Sequence, residues 1–261
     1  MTANSEILFP LKKVLLIDIG GTNLRSAIAD IGTSDLLNPQ KVITSNLDSF
    51  DDIVQSFLTE EPLIDHIVFS VAGPKINNSI TMTNREFTLN ADEVLQRFNL
   101  SSCHVLNDWE SIGYSLSLIR SDEMTCLSQG YKFNDTALII GPGTGLGASL
   151  VISDDIVLPT EIGNSILSIE SLMVSSALQA SKNFNVIEDL ISGKGISNIY
   201  RHFSGVDKSS EDILLAYEDD ELARKSIDQF LVSLAQFLSE LALAYIPGNG
   251  IYLAGGLMRS L

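Results

Sequence analysis

Val14-Leu-Leu-Ile-Asp-Ile19 is a short apolar run rich in branched side chains, and Gly20-Gly21-Thr22-Asn23 follows it directly. Leu24 to Ala29 then reads as a second strand, so a buried strand enters a glycine turn and returns as a hairpin. The same event recurs at Ala137 to Ile140, Gly141-Pro142-Gly143-Thr144-Gly145-Leu146-Gly147 and Ala148 to Ile152. Setting Gly21-Thr22 over Gly143-Thr144 superimposes the two units. Two strand–Gly-Thr–strand units predict a duplicated α/β architecture with two loops serving one site.

Glycine suits such a loop because a backbone that bends sharply and offers its amides to a ligand has no room for a Cβ. Successive N–H groups in the bend form an anion cradle. Asp18 lies beside the first bend, and a carboxylate next to a phosphate needs a cation between them. Mg²⁺ favours a shared carboxylate-plus-phosphate site. The pair of bends with Asp18 therefore predicts Mg-nucleotide binding.

The 261 residues are 45% apolar and 19% charged, a globular balance, with length for one large domain or two smaller ones. Net charge is −17, from 33 acids against 16 bases. That argues against nucleic acid or an anionic membrane surface as partner, because both are held by Lys and Arg. A polyphosphate would have to be held by backbone N–H groups and Mg²⁺. Cys103 and Cys126 form no C-x-x-C pair, and His66, His104 and His202 are scattered, so no disulfide framework or structural zinc is expected and a reducing cytoplasm suits the chain. Ile7 to Leu11 is too short for a signal sequence, and no stretch is expected to span a membrane.

In order, Asn38-Pro39 predicts a turn, Lys41 to Thr44 a third strand and Asp48 to Glu60 a helix. His66 to Ala72 reads as a strand and Ile76 to Thr83 as a hairpin arm. Asn90 with Glu93 predicts a capped helix start. Ser102 to Leu106 is a strand leading into Asn107-Asp108-Trp109-Glu110, and a helix is expected through Leu118. Beyond the second bend, Val157 to Gly163 reads as a loop, Ser165 to Ala180 as helical, and Val186 to Ile191 as a short helix broken by Gly193 and Gly195. Glu221 to Tyr245 predicts a long helix with Ile227, Phe230, Leu231, Leu234, Phe237, Leu238 and Leu241 as its core stripe. Ile251 to Ala254 is a last strand before Gly255-Gly256. Gly143-x-Gly145-x-x-Ala148 fits a relaxed dinucleotide fingerprint, but that motif must open a helix and the residues after it are strand-like. Gly193-Lys194 lacks the rest of a Walker A loop.

Asp18-Ile-Gly-Gly-Thr-Asn23, Asn107-Asp108, Gly141-Pro-Gly-Thr-Gly-Leu-Gly147, Glu188-x-Leu-x-Ser-Gly-x-Gly195 and Ala254-Gly255-Gly256 together resemble the ordered signatures of bacterial glucokinase, in the actin, hexokinase and Hsp70 ATPase-like superfamily. The resemblance runs from about residue 14 to Leu261. It implies two ribonuclease H-like domains, 1–108 and 109–261, with a cleft between them, and an ATP-dependent kinase that phosphorylates the 6-hydroxyl of glucose in the cytoplasm, entering glycolysis. It implies that Asp18, Ile19, Gly20, Gly21, Thr22, Asn23, Gly141, Gly143, Thr144 and Gly145 hold ATP, with Gly255 and Gly256 at the adenosine and Mg²⁺ reached from Asp18 through water. Asp108 matches the catalytic base. Asn107, Asp108, Glu161, Asn164, Glu188 and Asn84 match the sugar-binding positions, and a homodimer is left open.

The sequence departs from that pattern in places. Asn164 stands where the family has His, Ile162 where it has Gly, and Trp109 where it has Phe. Family members continue past Gly255-Gly256 with further helix and strand, so the C-terminal part is expected to be shortened. The alternatives are a catalytically weak sugar- or nucleotide-binding sensor, or a kinase for another hexose. The cysteine-rich zinc signature of the related ROK kinases is absent, and no basic helix-turn-helix of a repressor is visible.

Overall fold

The structure, a computed structural model, describes residues 12–20, 23–43, 50–82, 87–166, 169–175, 178 and 184–261. The chain divides into two compact units, Met1–Ser111 and Ile112–Leu261.

In the first unit, β1 (Lys13–Ile19), β2 (Asn23–Asp30) and β3 (Leu36–Ile43) form an antiparallel meander, and α1 (Phe50–Glu60) carries the chain to β4 (Ile64–Val71). A small sheet of β5 (Lys75–Ile76), β6 (Ser79–Thr81) and β7 (Thr88–Asn90) leads into α2 (Ala91–Arg97), β8 (Ser102–Asn107) and α3 (Asp108–Ser115). The main sheet has the order β3-β2-β1-β4-β8, with β4 parallel to β1 and β8 parallel to β4. Alternation places Leu15, Ile17 and Ile19 on the buried face, where they join Ile67, Phe69 and Val71 and the α1 residues Phe50, Val54 and Phe57. Phe69 is fully buried, and burying such a ring contributes about 2 kcal/mol. Asn90 caps α2, its side chain accepting the N–H groups of Asp92 and Glu93.

The second unit repeats the plan with β9 (Ala137–Pro142), β10 (Leu146–Ser153) and β11 (Ile156–Thr160), then α4 (Ile169–Ser175), α5 (Gly193–Ser204), α6 (Ser210–Leu215), α7 (Glu221–Tyr245), β12 (Gly250–Leu253) and α8 (Gly256–Ser260). Its sheet order is β11-β10-β9-β12, with β12 parallel to β9. This matches β3-β2-β1-β4 in order and direction, so the recurrence seen in the glycine bends extends to the sheets. The bends themselves differ by one residue. The first closes by Gly20 N–H to the Asn23 carbonyl at 2.9 Å, the second by Gly143 N–H to the Gly145 carbonyl at 2.8 Å.

Several expectations need correction. Asn38-Pro39 is no turn: β3 runs through it, Asn38 takes φ 49°, and the register with β2 shifts between Ser26 and Ile28. An edge strand can absorb a bulge and a proline, whose missing N–H faces no partner. Val157 to Gly163 is no plain loop, because Ile156–Thr160 pairs with β10 as another proline-bearing edge strand. Gly193 and Gly195 open a helix and do not break one: Ser192 caps α5 by accepting Gly195 N–H at 3.0 Å. Only Ile187–Asp189 before it is helical, as a single tight turn. The α7 stripe is right except at Leu231, which is 41% exposed. Ala223, Ile227, Phe230, Leu234, Phe237 and Leu241 are buried in the unit's core. By length and composition α7, with 25 residues and an 18-residue stretch of mean hydropathy 1.3, is also long and apolar enough to cross a membrane, against the expectation that no stretch would be.

Candidate active site

The parallel strands of the first unit end in one row. Ile19 pairs with Val71, and Val71 with Asn107. Asp18 and Asn107-Asp108 therefore stand at the carboxyl ends of β1 and β8 with only β4 between them, about 10 Å apart in the sheet direction. Ligands of α/β sheets bind at such ends. Asp18 Oδ2 accepts from Arg25 Nη1 at 2.9 Å and Oδ1 accepts from Ser70 Oγ at 3.2 Å. Arg25 is thus the partner of Asp18 across the hairpin.

Asn107 and Glu110 form a reciprocal cap at the start of α3. Asn107 Oδ1 accepts from Trp109 N–H at 2.8 Å and Glu110 N–H at 3.3 Å, while Glu110 Oε2 accepts from Asn107 N–H at 3.1 Å. This is a capping box, with Asn in the place usual for Ser or Thr. Asn107 also donates Nδ2 to the Gly73 carbonyl at 2.8 Å. Gly73 has φ +148°, and a Cβ there would lie 2.5 Å from the Thr81 carbonyl oxygen, so only glycine fits. Asn107 is buried, and these bonds set its side chain. Lys75 Nζ reaches both Glu110 oxygens, at 2.9 and 3.1 Å, and the Glu110 side chain is 5% exposed. Gly73, Lys75 and Glu110 therefore hold the turn that presents Asp108. Asp108 itself is half-buried at the first position of α3 and accepts from Trp109 N–H at 3.0 Å. A carboxylate is favoured at a helix N-terminus.

In the second unit, three segments meet at the glycine bend. An added Cβ at Gly143 would meet nothing within 4 Å, so that face is open to a ligand. Gly143 carbonyl accepts from Gly193 N–H at 2.7 Å, tying the bend to α5. A Cβ at Gly145 would lie 2.6 Å from Glu188 Oε2. That same oxygen accepts Leu146 N–H at 3.3 Å. The tight turn Ile162–Asn164 lies against the bend, with Gly163 on the Leu146 carbonyl. Asn164 Nδ2 donates to Glu161 Oε2 at 3.1 Å, and Ile187 N–H donates to the Ser165 carbonyl at 2.9 Å. Glu161, Asn164 and Glu188 are thus brought to one side of the second bend. Ile162 packs against the core. Gly255, at φ +102°, lies beside the Pro142 carbonyl, and Ala254 N–H donates to the Ile140 carbonyl at 3.0 Å, which sets Gly255-Gly256 next to Gly141. Gly21, Thr22 and Asn84 lie outside the described residues.

Next to Glu188, burial pushes the Asp189 carboxyl up, but donation from Lys194, Asn185 and Val186 outweighs it and holds the group below its ordinary value. Lys194 Nζ lies 2.8 Å from Asp189 and is held protonated by it.

Among the described residues no group of three acidic, His or Cys side chains could cage a metal ion. A single carboxylate, Asp18, at the end of β1 fits Mg²⁺ shared with phosphate oxygens and waters, and the open face at Gly143 fits a phosphate.

The family profile described as "Glucokinase" matches residues 15–261. The chain belongs to the glucokinase family. Glucokinase from Mesorhizobium japonicum is 26% identical over 284 residues, covering 99% of this chain and 80% of the relative. Among solved structures, glucokinase from an Antarctic psychrotroph superimposes with a TM-score of 0.79 at 24% identity, covering 95% of this chain and 84% of the other. A ROK family glucokinase from Streptomyces griseus, solved with glucose and AMPPNP, superimposes with a TM-score of 0.63 at 17% identity, covering 95% and 84%. These likenesses show the actin-like ATPase fold, and membership of the glucokinase family marks the chain as a sugar kinase.

Sequence reasoning missed Ser70, Lys75 and Glu110. The spacing Asn107-x-x-Glu110 is a capping-box signal of the same kind as Asn90-x-x-Glu93 and could have disclosed Glu110. Nothing in the sequence marks Lys75, 35 positions away from Glu110.

Proposed function

We propose that this glucokinase-family chain transfers the γ-phosphoryl group of MgATP to the 6-hydroxyl of glucose, working in the cytoplasm and entering glycolysis. The observation that carries the reading is the held carboxylate of Asp108 at the end of β8, in the same row as Asp18. A primary hydroxyl is a poor nucleophile, and a fixed carboxylate can accept its proton as attack begins. Such a base contributes about 10²–10⁴-fold. The rest of the rate comes from positioning and from neutralising charge.

Asp18 and the Gly20–Asn23 bend serve the phosphates from the first unit. The Gly141–Gly145 bend offers N–H groups from the second, with Gly255-Gly256 beside it for adenosine. Mg²⁺, when bound through Asp18, supplies charge neutralisation on the phosphate oxygens. Glu161 and Glu188 accept hydrogen bonds from sugar hydroxyls, each carboxylate having acceptor capacity for two. Asn164 holds Glu161 in the place where the family pattern has His. Cys103 and Cys126 are both free thiols, which suits a reducing compartment.

A second reading, a kinase for another hexose, is favoured by the Glu161–Asn164 pair, because an amide neither titrates near neutral pH nor reaches as far as imidazole. A coupled assay of ADP release across a panel of sugars separates the two. Glucose giving the highest kcat/KM supports the first reading. Another hexose ahead of glucose supports the second, and no sugar stimulation contradicts both.

A further inference from the structure

Glu188 makes a contact that sugar binding does not require. Its Oε2 accepts Leu146 N–H at 3.3 Å, on the bend read above as a phosphate cradle. The absence of a Cβ at Gly145 is what lets that oxygen in, since a Cβ would lie 2.6 Å from it. The backbone on either side is pinned. Ser192 Oγ donates to the Glu188 carbonyl at 2.5 Å, and Ile187 N–H donates to Ser165 at 2.9 Å. Lys194, six positions on, gives its ion pair to Asp189 at 2.8 Å, so it feels the Glu188 charge through space while bonding to its neighbour. A fixed backbone thus carries a negatively charged side chain whose bond to the bend is long, and therefore weak and exchangeable.

We propose that Glu188 is a latch on the second glycine bend: without sugar it occupies a bend N–H and repels phosphate, and sugar hydroxyls draw it away. The inference rests on the proposed function, because it takes the bend as the phosphate site and Glu188 as a sugar ligand. Both partners of the carboxylate are donors, and it exchanges one for the other at little cost. The charge leaves the bend only when an acceptor sugar is present, so nucleotide binding and sugar binding reinforce each other reciprocally. The consequence is that ATP is held poorly when only water could receive the phosphoryl group.

The test measures binding of MgAMPPNP to the full chain by calorimetry, with and without glucose, in the wild type, Glu188→Gln and Glu188→Ala. The latch predicts that glucose tightens MgAMPPNP binding to the wild type by at least about fivefold, the low end of ordinary coupling. It predicts that both variants bind MgAMPPNP tighter than the wild type without glucose, and that glucose then adds nothing. Glu188→Gln keeps an oxygen for Leu146 N–H while removing the charge, so it carries the test should Glu188→Ala fail to fold. Variants that bind MgAMPPNP no tighter than the wild type overturn the latch. So does a wild type whose MgAMPPNP affinity ignores glucose, even if the sugar-panel assay still shows phosphoryl transfer. Tighter nucleotide binding by both variants, beside a wild type that turns over no glucose, would keep the repulsion at the bend and sink the glucose-phosphorylation reading instead.

Discussion

Replacing Lys75 with Met should destabilise the first unit far more than a surface ion pair would. The Glu110 side chain is 5% exposed and that of Lys75 23%, so the pair lies largely out of water. Removing one partner of a buried pair leaves an uncompensated charge, at a cost of about 3–5 kcal/mol. Glu110 keeps its bond from Asn107 N–H, so the lower end, about 3 kcal/mol, is expected. That is a large part of the roughly 5–15 kcal/mol that holds a domain. Lys75→Met with Glu110→Gln removes the stranded charge and should recover about 1–2 kcal/mol of the loss. The assay is urea unfolding followed by tryptophan fluorescence. The chain has a single tryptophan, Trp109, adjacent to Glu110, so the signal reports this turn. A loss under about 1 kcal/mol for Lys75→Met, the size of an exposed pair, would refute the reasoning, as would a double variant less stable than either single one.

Other outcomes follow from the charged and thiol groups. Burial, with the Asp92 charge adding to it, pushes the Cys103 thiol up to about 12, whereas Cys126 is exposed. A thiol reagent at pH 8 should therefore label one cysteine in the native protein and two after unfolding; rapid labelling of both in the native state would contradict this. Because the folded value of Cys103 is raised, its contribution is intact below the unfolded value near 8.5 and is lost as pH rises from there toward about 12. Asp220, the N-cap of α7, is lowered to about 2, first by the Tyr200 hydroxyl, which donates to it at 2.8 Å. Its contribution is present above the unfolded value near 3.9 and is lost as pH falls toward 2. Asp220→Asn should flatten that acid limb in a circular-dichroism titration, and an unchanged limb would contradict the assignment.

Much of the fold was legible because local and tertiary signals agree. The apolar runs at Val14–Ile19 and Ala137–Ile140 end in glycine, and each is a strand running into a bend. The α7 stripe is legible for the same reason, since its spacing and its burial coincide except at Leu231. The misreadings share a cause: residues that break an element in isolation were read without their neighbours. Pro39 and Pro159 sit on edge strands, where a missing N–H costs little. Gly193 and Gly195 look like helix breakers until Ser192 is seen capping them. At the candidate site, the sequence singles out the residues proposed to carry chemistry and hides what fixes them. Lys75 and Gly73 reach Glu110 and Asn107 only through the fold. The contact of Glu188 with Leu146 spans 42 positions and depends on a missing Cβ that no spacing rule encodes.

The central claim is that Asp108 accepts the sugar's proton. The most direct measurement compares glucose-stimulated ADP release by the wild type and Asp108→Asn at saturating MgATP, with glucose binding followed in parallel. The account predicts a kcat lower by about 10²–10⁴-fold in the variant, with glucose still bound. Equal turnover in the two proteins would contradict it.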